Sequence, residues 1–141
     1  MLATWLYISV ADLPGDAHAG VVDAIVAVSR RRNAELDVTG ALIFSGSRFA
    51  QFIEGPPASI AALRAAIESD VRHRSVTTFS ADTTSNRQFA GWLLAYSGHS
   101  TFVDLELRRI GEQHPNDAAG ASRSLKLVLA EFSRAGGIER L

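Results

Sequence analysis

Residues 38–55, VTGALIFSGSRFAQFIEG, constrain the fold more than any other stretch of the chain. Two runs rich in β-branched and aromatic residues, Val38 to Phe44 and Arg48 to Glu54, are separated by Ser45-Gly46-Ser47, which is the pattern of a β-hairpin. Gly55-Pro56-Pro57 ends the second run. The segments on either side are helical in period. From His18 to Leu36, Val21, Val22, Ile25, Val26 and Val28 recur at helical spacing, and from Ala58 to Ser69 so do Ile60, Leu63 and Ile67, with Pro57 suited to a first turn. A strand, TWLYISV at 4–10, precedes the first helix, and Asp16 in the loop Ala11 to Ala17 is its candidate N-cap. Strands at Ser75 to Ala81 and Trp92 to Tyr96 follow the second helix, separated by a polar loop, Asp82 to Gln88. The order βαββαβ plus one further strand predicts an α+β fold of ferredoxin-like type, βαββαββ, with two helices on one face of the sheet.

One residue in the hairpin is out of place. Gln51 stands between Ala50 and Phe52 in an otherwise apolar strand. A buried amide left without partners costs about 1–3 kcal/mol, so Gln51 either faces solvent or meets a group inside the fold. Tyr7, between Leu6 and Ile8, and Asn33, near the end of the first helix, are similar polar residues in apolar surroundings. In a ferredoxin-like sheet the first and third strands are central neighbours, which brings Tyr7 and Gln51 to one face. A phenol and two amides around a pocket suit a planar heterocycle rich in N–H and C=O groups. Spacing alone favours the plainer reading of a core tyrosine and an edge glutamine.

Composition excludes more than it selects. The 141 residues fit one domain, and an apolar fraction of 47% is enough for a core. No apolar run reaches the ~18–20 residues that span a bilayer, and MLATWLYISVAD reads as a strand and not as a signal peptide. There is no cysteine, hence no disulfide or thiolate chemistry. The expectation is a cytoplasmic protein. A net charge of −1 gives no field that would draw the chain to nucleic acid or a membrane. Arg30-Arg31-Arg32 reads as a solvated helix end. The histidines His18, His73, His99 and His114 lack metal-ligand spacing, so no metal site is expected, and there is no G-x-S-x-G elbow or phosphate-cradling loop. Beyond Tyr96, Leu105 to Arg109 and Ser122 to Phe132 have helical patterns. Leu125, Val128, Leu129 and Phe132 form a stripe that either covers the free face of the sheet or serves as an interface.

Several motifs, in order, resemble the BLUF family, blue-light sensors that use FAD. L6-Y7-I8-S9 resembles the family's Y-x-S strand. SRRRNAELDVTGALIFSGSRFAQFIEGP at 29–56 resembles its core block, with S-x-x-x-N, T-G-x-L and F-x-Q-x-x-E-G. DVRHRSV at 70–76 resembles its D-x-R-H stretch, and RQFAGWLLAYS at 87–97 its R-x-F-x-x-W closing strand. The resemblance implies a non-covalently bound FAD, with FMN or riboflavin possible in its place. It implies a photoswitch in which excited flavin takes an electron and a proton from Tyr7. Their return leaves Gln51 rotated or tautomerised, in a reversible red-shifted state.

It further implies that Asn33 holds the pyrimidine edge of the ring and that Ile25 and Ile67 sandwich it. Leu42 and Phe49 line it, and Ser29 belongs to the same block. Arg32, Asp70, Arg72 and His73 serve the ribityl and phosphate side, with Arg72 a sensible anion anchor. In the closing strand Trp92 is present, while many relatives have methionine where this chain has Leu94; either residue is a candidate neighbour of Gln51. The resulting expectation is a sensor domain at 1–98 and a C-terminal helical extension at 99–141 that caps, oligomerises or signals. No enzyme domain is expected after Tyr96. The partners expected are the flavin, a homo-oligomer and a downstream protein, with no nucleic acid and no membrane. The rival reading is a ferredoxin-like flavin-binding or interaction module without a photocycle.

Overall fold

The computed structural model describes residues 1–13, 18–98 and 100–133. The candidate cap Asp16 and its neighbours in the first loop, His99, and the last eight positions lie outside the described residues. The elements are β1 (Leu2–Ala11), α1 (His18–Leu36), β2 (Thr39–Phe44), β3 (Arg48–Gly55), α2 (Pro57–Glu68), β4 (His73–Ser80), β5 (Thr83–Thr84), β6 (Ala95–Ser97), α3 (Thr101–Gln113), α4 (Ala118–Val128) and a π-helical turn, Leu129–Ser133. The sheet runs β4-β1-β3-β2-β6, antiparallel except that β6 lies parallel to β2, and β5 pairs with the start of β1. This is the expected ferredoxin-like arrangement with one small addition. β1 begins at Leu2, and Leu2 and Ala3 pair with Thr84 and Thr83, so the expected polar loop contains a two-residue strand. The last strand begins at Ala95 and not at Trp92. Trp92 N–H donates to Phe89 O and Trp92 O accepts from Gly40 N–H, so its backbone belongs to a turn.

β1 and β3 are central, and their side chains alternate between two covered faces. One face carries α1 and α2. There Trp5, Tyr7, Val38 and Ile53 pack with Ile60 and Leu63 of α2, while Leu42, Phe44, Phe49 and Leu94 pack with Val22 and Val26 of α1. The opposite face carries the C-terminal helices. Leu6, Ile8, Ala41, Ile43, Ala50 and Phe52 pack with Val103, Leu107, Ile110, Leu125 and Leu129. The tail stripe therefore lies on the sheet's second face: Leu125 and Leu129 are fully buried, and Val128 and Phe132 pack against the same cluster. Each such leucine contributes about 1.5–3 kcal/mol by leaving water.

Local chemistry sets the ends of the helices. α1 stops at Asp37, which takes a left-handed conformation (φ 58°), and Val38 N–H donates to Asn33 O at 2.8 Å. This six-residue closure is a Schellman-type cap. The closure ends α1 at Leu36, where the sequence places it; Arg31 and Arg32 are exposed as a solvated run should be, whereas Arg30 is half-buried and its Nε donates to Leu94 O at 3.2 Å. α2 begins with Pro57 in its first turn. Ser100 caps α3 by accepting from Val103 N–H, and Asp117 caps α4 by accepting from Gly120 N–H.

A fully buried carboxylate fixes the segment before β6. Glu54 accepts from Thr39 Oγ1 at 2.8 Å, Gln88 N–H at 2.7 Å and Phe89 N–H at 2.8 Å. Arg87 donates to Thr39 Oγ1, to the Glu54 carbonyl and to the Asp37 carbonyl, and pairs with the Asp37 carboxylate at 3.2 Å. A buried charge is tolerable when its oxygens are hydrogen-bonded in this way.

Two expected outcomes follow from this packing. Asp104 on α3 accepts from Ser45 Oγ at 2.5 Å, Ser47 Oγ at 2.7 Å and Arg108 Nε at 3.0 Å, which ties α3 to the β2–β3 hairpin. Burial alone would raise its carboxyl pKa, but these hydrogen bonds and the Arg108 charge more than offset burial and hold it at about 2. Its contribution is therefore present above about pH 4 and lost as pH falls through about 2, so Asp104→Asn should cost roughly 1–2 kcal/mol at neutral pH and flatten the acid limb of a denaturant-midpoint profile. At Gly40 an added Cβ would run into the Phe52 carbonyl oxygen across the β2–β3 pair. Gly40→Ala should therefore lower stability by about 3 kcal/mol in a urea titration.

Candidate functional site

Because α1 and α2 rest on separate clusters, a seam remains between them, and it forms a cleft open to solvent. The floor is the sheet. Antiparallel pairing places Tyr7 of β1 and Leu42 of β2 directly opposite Gln51 of β3, with Phe49 one step along the same face. α1 supplies Ile25, Val28, Ser29, Arg32 and Asn33, and α2 supplies Leu63, Ala66 and Ile67. Asp70, Arg72 and His73 close one end. All the candidate ligand-contacting residues singled out from the sequence thus line one cleft. Val28, Leu63 and Ala66 were not singled out; the signal that could have found them is helical spacing, Val28 three residues from Ile25, Leu63 four from Ile67, and Ala66 four from Asp70.

Tyr7 and Gln51 are hydrogen-bonded. The phenol donates to Gln51 Oε1 at 2.6 Å, and the two residues are 3% and 5% exposed. Gln51 is central and not an edge glutamine. Burial, reinforced by the Asp70 charge, pushes the Tyr7 pKa far above that of a free tyrosine, so the phenol stays protonated at any physiological pH. The Gln51 Nε2 has no hydrogen-bond partner among the described residues, and Gln51 lines the cleft. Asn33 is 1% exposed; its Nδ2 donates to Leu93 O at 2.6 Å, while its Oδ1 has no partner among the described residues. An amide donor and an amide acceptor therefore border the same cleft between apolar walls. This donor set fits a flat heterocycle with adjacent C=O and N–H groups.

The charged end is arranged differently from the expectation. Arg72 donates to Asp70 through Nε and Nη2, with contacts of 2.9, 3.2 and 2.5 Å. The hydrogen bonds from Arg72 hold the Asp70 carboxyl below its usual range, and Asp70 raises the Arg72 guanidinium in return. Arg72 is thus committed to an ion pair, which weakens its reading as an anion anchor. Both His73 nitrogens are engaged by the protein: Nε2 lies 2.6 Å from Ile67 O, which can only accept, and Nδ1 lies 2.7 Å from Ser9 Oγ. Arg32 is exposed and has no ion-pair partner among the described residues.

Neither Trp92 nor Leu94 lines the cleft. Leu94 is fully buried on the cleft side of the sheet, against Leu42 and Phe49, whereas Trp92 packs against the cluster under the C-terminal helices. Beside Tyr7, Trp5 is fully buried and stacked, with ring centroids 4.4 Å apart and planes 27° apart. Trp5 Nε1 donates to Thr78 Oγ1 at 3.0 Å, and the Arg64 guanidinium carbon lies 4.8 Å from the Trp5 ring centroid. Such a cation–π contact contributes about 0.5–2 kcal/mol.

Comparison with known proteins identifies the family. The family model described as sensors of blue-light using FAD matches residues 2–95. The blue light- and temperature-regulated antirepressor BluF of Escherichia coli (strain K12) is 35% identical over 89 residues, which is 63% of this chain and 22% of that protein. The chain therefore spans about a fifth of that relative's length. Among solved structures, the dark state of the BLUF protein BlrB is similar with a TM-score of 0.70 and 30% identity, over 92% of this chain and 95% of that one. Klebsiella pneumoniae BlrP1 with FMN and cyclic diGMP is similar with a TM-score of 0.62 and 28% identity, over 83% of this chain and 35% of that one. The motifs, the sheet order and the match over most of the chain agree, and the chain belongs to the BLUF family of blue-light flavin sensors.

Proposed function

We propose that this chain is a blue-light receptor that holds FAD in the cleft between α1 and α2 and switches through Tyr7 and Gln51. The observation that carries the reading is the 2.6 Å hydrogen bond from Tyr7 to Gln51 Oε1, with Gln51 Nε2 left for a ligand. When bound, a flavin supplies blue absorption and, once excited, a strong one-electron oxidant. Ile25 and Ile67 clasp the ring from the two helices, Leu42 and Phe49 support it, and Asn33 Oδ1 accepts an N–H of its pyrimidine edge. Ser29 and Arg32 face its outer part. Arg32 is a better anchor than Arg72 for an anionic tail, because Asp70 already holds the Arg72 charge. The amides and apolar walls of the cleft address the ring that FAD, FMN and riboflavin share, so FMN or riboflavin would find the same contacts.

Tyr7 gives up an electron, and its proton moves along the hydrogen bond to Gln51 Oε1. On recombination the electron and proton return to Tyr7. Gln51 is left with donor and acceptor exchanged, by rotation or by tautomerisation, and with a new hydrogen bond into the cleft. An amide can do this without changing shape. Each polar group left mismatched in a dry pocket costs about 1–3 kcal/mol, enough to move a two-state equilibrium by roughly one to two decades.

Output goes to the opposite face. Ala50 and Phe52 flank Gln51 on β3, and both pack in the cluster under α3 and α4. A shift of β3 is therefore felt by the helices of 99–141, the proposed output extension of a sensor domain at 1–98. The signal leaves through a homo-oligomer or a downstream protein partner, and no chemistry is catalysed by the chain itself.

The test is the absorption spectrum of the purified protein in darkness and after blue light. A flavin band that moves to the red and returns in the dark is the expected result, and a protein that takes up no added flavin would sink the reading. Tyr7→Phe and Gln51→Leu should each abolish the shift and leave the protein yellow. Asn33→Ala should weaken flavin retention about tenfold, read by equilibrium dialysis, through loss of one buried hydrogen bond.

A further inference from the structure

The stack of Trp5 on Tyr7 creates a problem for any mechanism that oxidises Tyr7. Two aromatic rings with centroids 4.4 Å apart pass an electron readily. If Trp5 gave an electron to oxidised Tyr7, the phenol would be restored with its proton from Gln51, and the indole would be left as a radical cation. The vacancy would then sit one residue pair away from the amide that must respond to it.

Two features oppose that transfer. Arg64 of α2 holds its guanidinium over the Trp5 ring, 4.8 Å from its centroid. The contact is attractive for the neutral ring and becomes repulsive once the ring carries a positive charge. The indole also has no base to receive its proton. Trp5 Nε1 donates at 3.0 Å to Thr78 Oγ1, which already accepts from Arg64 Nη2 at 3.3 Å. Tyr7 is favoured by comparison, since its proton has an amide oxygen at 2.6 Å and no cation–π partner lies over its ring among the described residues. Glu68 pairs with Arg64 at 3.3 Å and reduces its field, but both side chains are substantially exposed and water screens the pair.

We propose that Arg64 is a positioning residue of the photochemistry: its charge over Trp5 keeps the electron vacancy off the indole and confines light-driven oxidation to Tyr7. The proposal rests on the photoreceptor reading above.

The experiment has two settings. In the flavin-loaded protein, transient absorption after a blue pulse should show the tryptophanyl radical rising about tenfold in Arg64→Gln, with a matching fall in the red-shifted product. Arg64→Lys, which keeps the charge, should stay near the parent, and adding Trp5→Phe to Arg64→Gln should restore the product. In the flavin-free protein, a pulse of azide radicals supplies the oxidant instead. The ratio of tryptophanyl to tyrosyl radical, measured in a Tyr96→Phe background and with the Trp5→Phe variant subtracted to remove the Trp92 signal, should rise in Arg64→Gln and not in Arg64→Lys. An unchanged ratio, or a loss of product that Trp5→Phe does not restore, would overturn the proposal. A chain that binds no flavin would overturn the photoreceptor reading alone, because the azide experiment still decides whether Arg64 guards Trp5.

Discussion

The hydrogen bond between Tyr7 and Gln51 depends on one strand register, and most of the structure serves that register. β1 and β3 pair so that Tyr7 faces Gln51 across the centre of the sheet. A slip of one residue would send both side chains to the opposite face and bring Leu6, Ile8, Ala50 and Phe52 into the cleft. The slip is prevented from both sides at once. Trp5, Ile53 and Phe49 belong to the clusters under α1 and α2, while Leu6, Ile8, Ala50 and Phe52 belong to the cluster under α3 and α4. Covering both faces also removes water from the central strands, which gives a single polar contact there its weight.

The cleft is a by-product of that coverage. Each helix has its own apolar footing, that of α2 taking in Tyr7 and that of α1 taking in Leu42 and Phe49, and Gln51 stands on the sheet between the two. The helix ends then place the polar groups. The Schellman-type closure at Asp37 uses Asn33 O, so the residue whose side chain borders the cleft also anchors the end of α1. Glu54, three residues beyond Gln51 on the same strand, fixes the backbone at Gln88 and Phe89 and hence the approach to β6.

The hairpin, both helices of the ferredoxin-like core and the strand order were legible because their signals are local: periods of two and of about 3.6, and turn residues between them. The polar residues of the cleft were legible because an amide or phenol in an apolar strand needs a reason. What was not legible depends on partners distant in sequence. Arg30 looks like a solvated cation until the Leu94 carbonyl is found beside it, and Arg72 looks like a free anchor until its pairing with Asp70 is seen. The two-residue strand β5 has no pattern of its own and exists because β1 starts early enough to offer it a ladder. The stripe on α4 fitted an outer interface as well as an inner one, and only the tertiary packing places it on the sheet.

Leu94 gives the sheet one more property. It belongs to the same buried cluster as Leu42, which pairs with Gln51, and Phe49, two residues before it, and its side chain can neither donate nor accept a hydrogen bond. Any movement passed from the cleft floor to β6 through this residue is therefore passed by displacing volume. Coupling of that kind responds to compression, because the two arrangements differ in how completely they fill the space, whereas an exchange of hydrogen bonds is nearly indifferent to it. Hydrostatic pressure is thus a variable to which the packing around Leu94 responds more than the Tyr7–Gln51 hydrogen bond does.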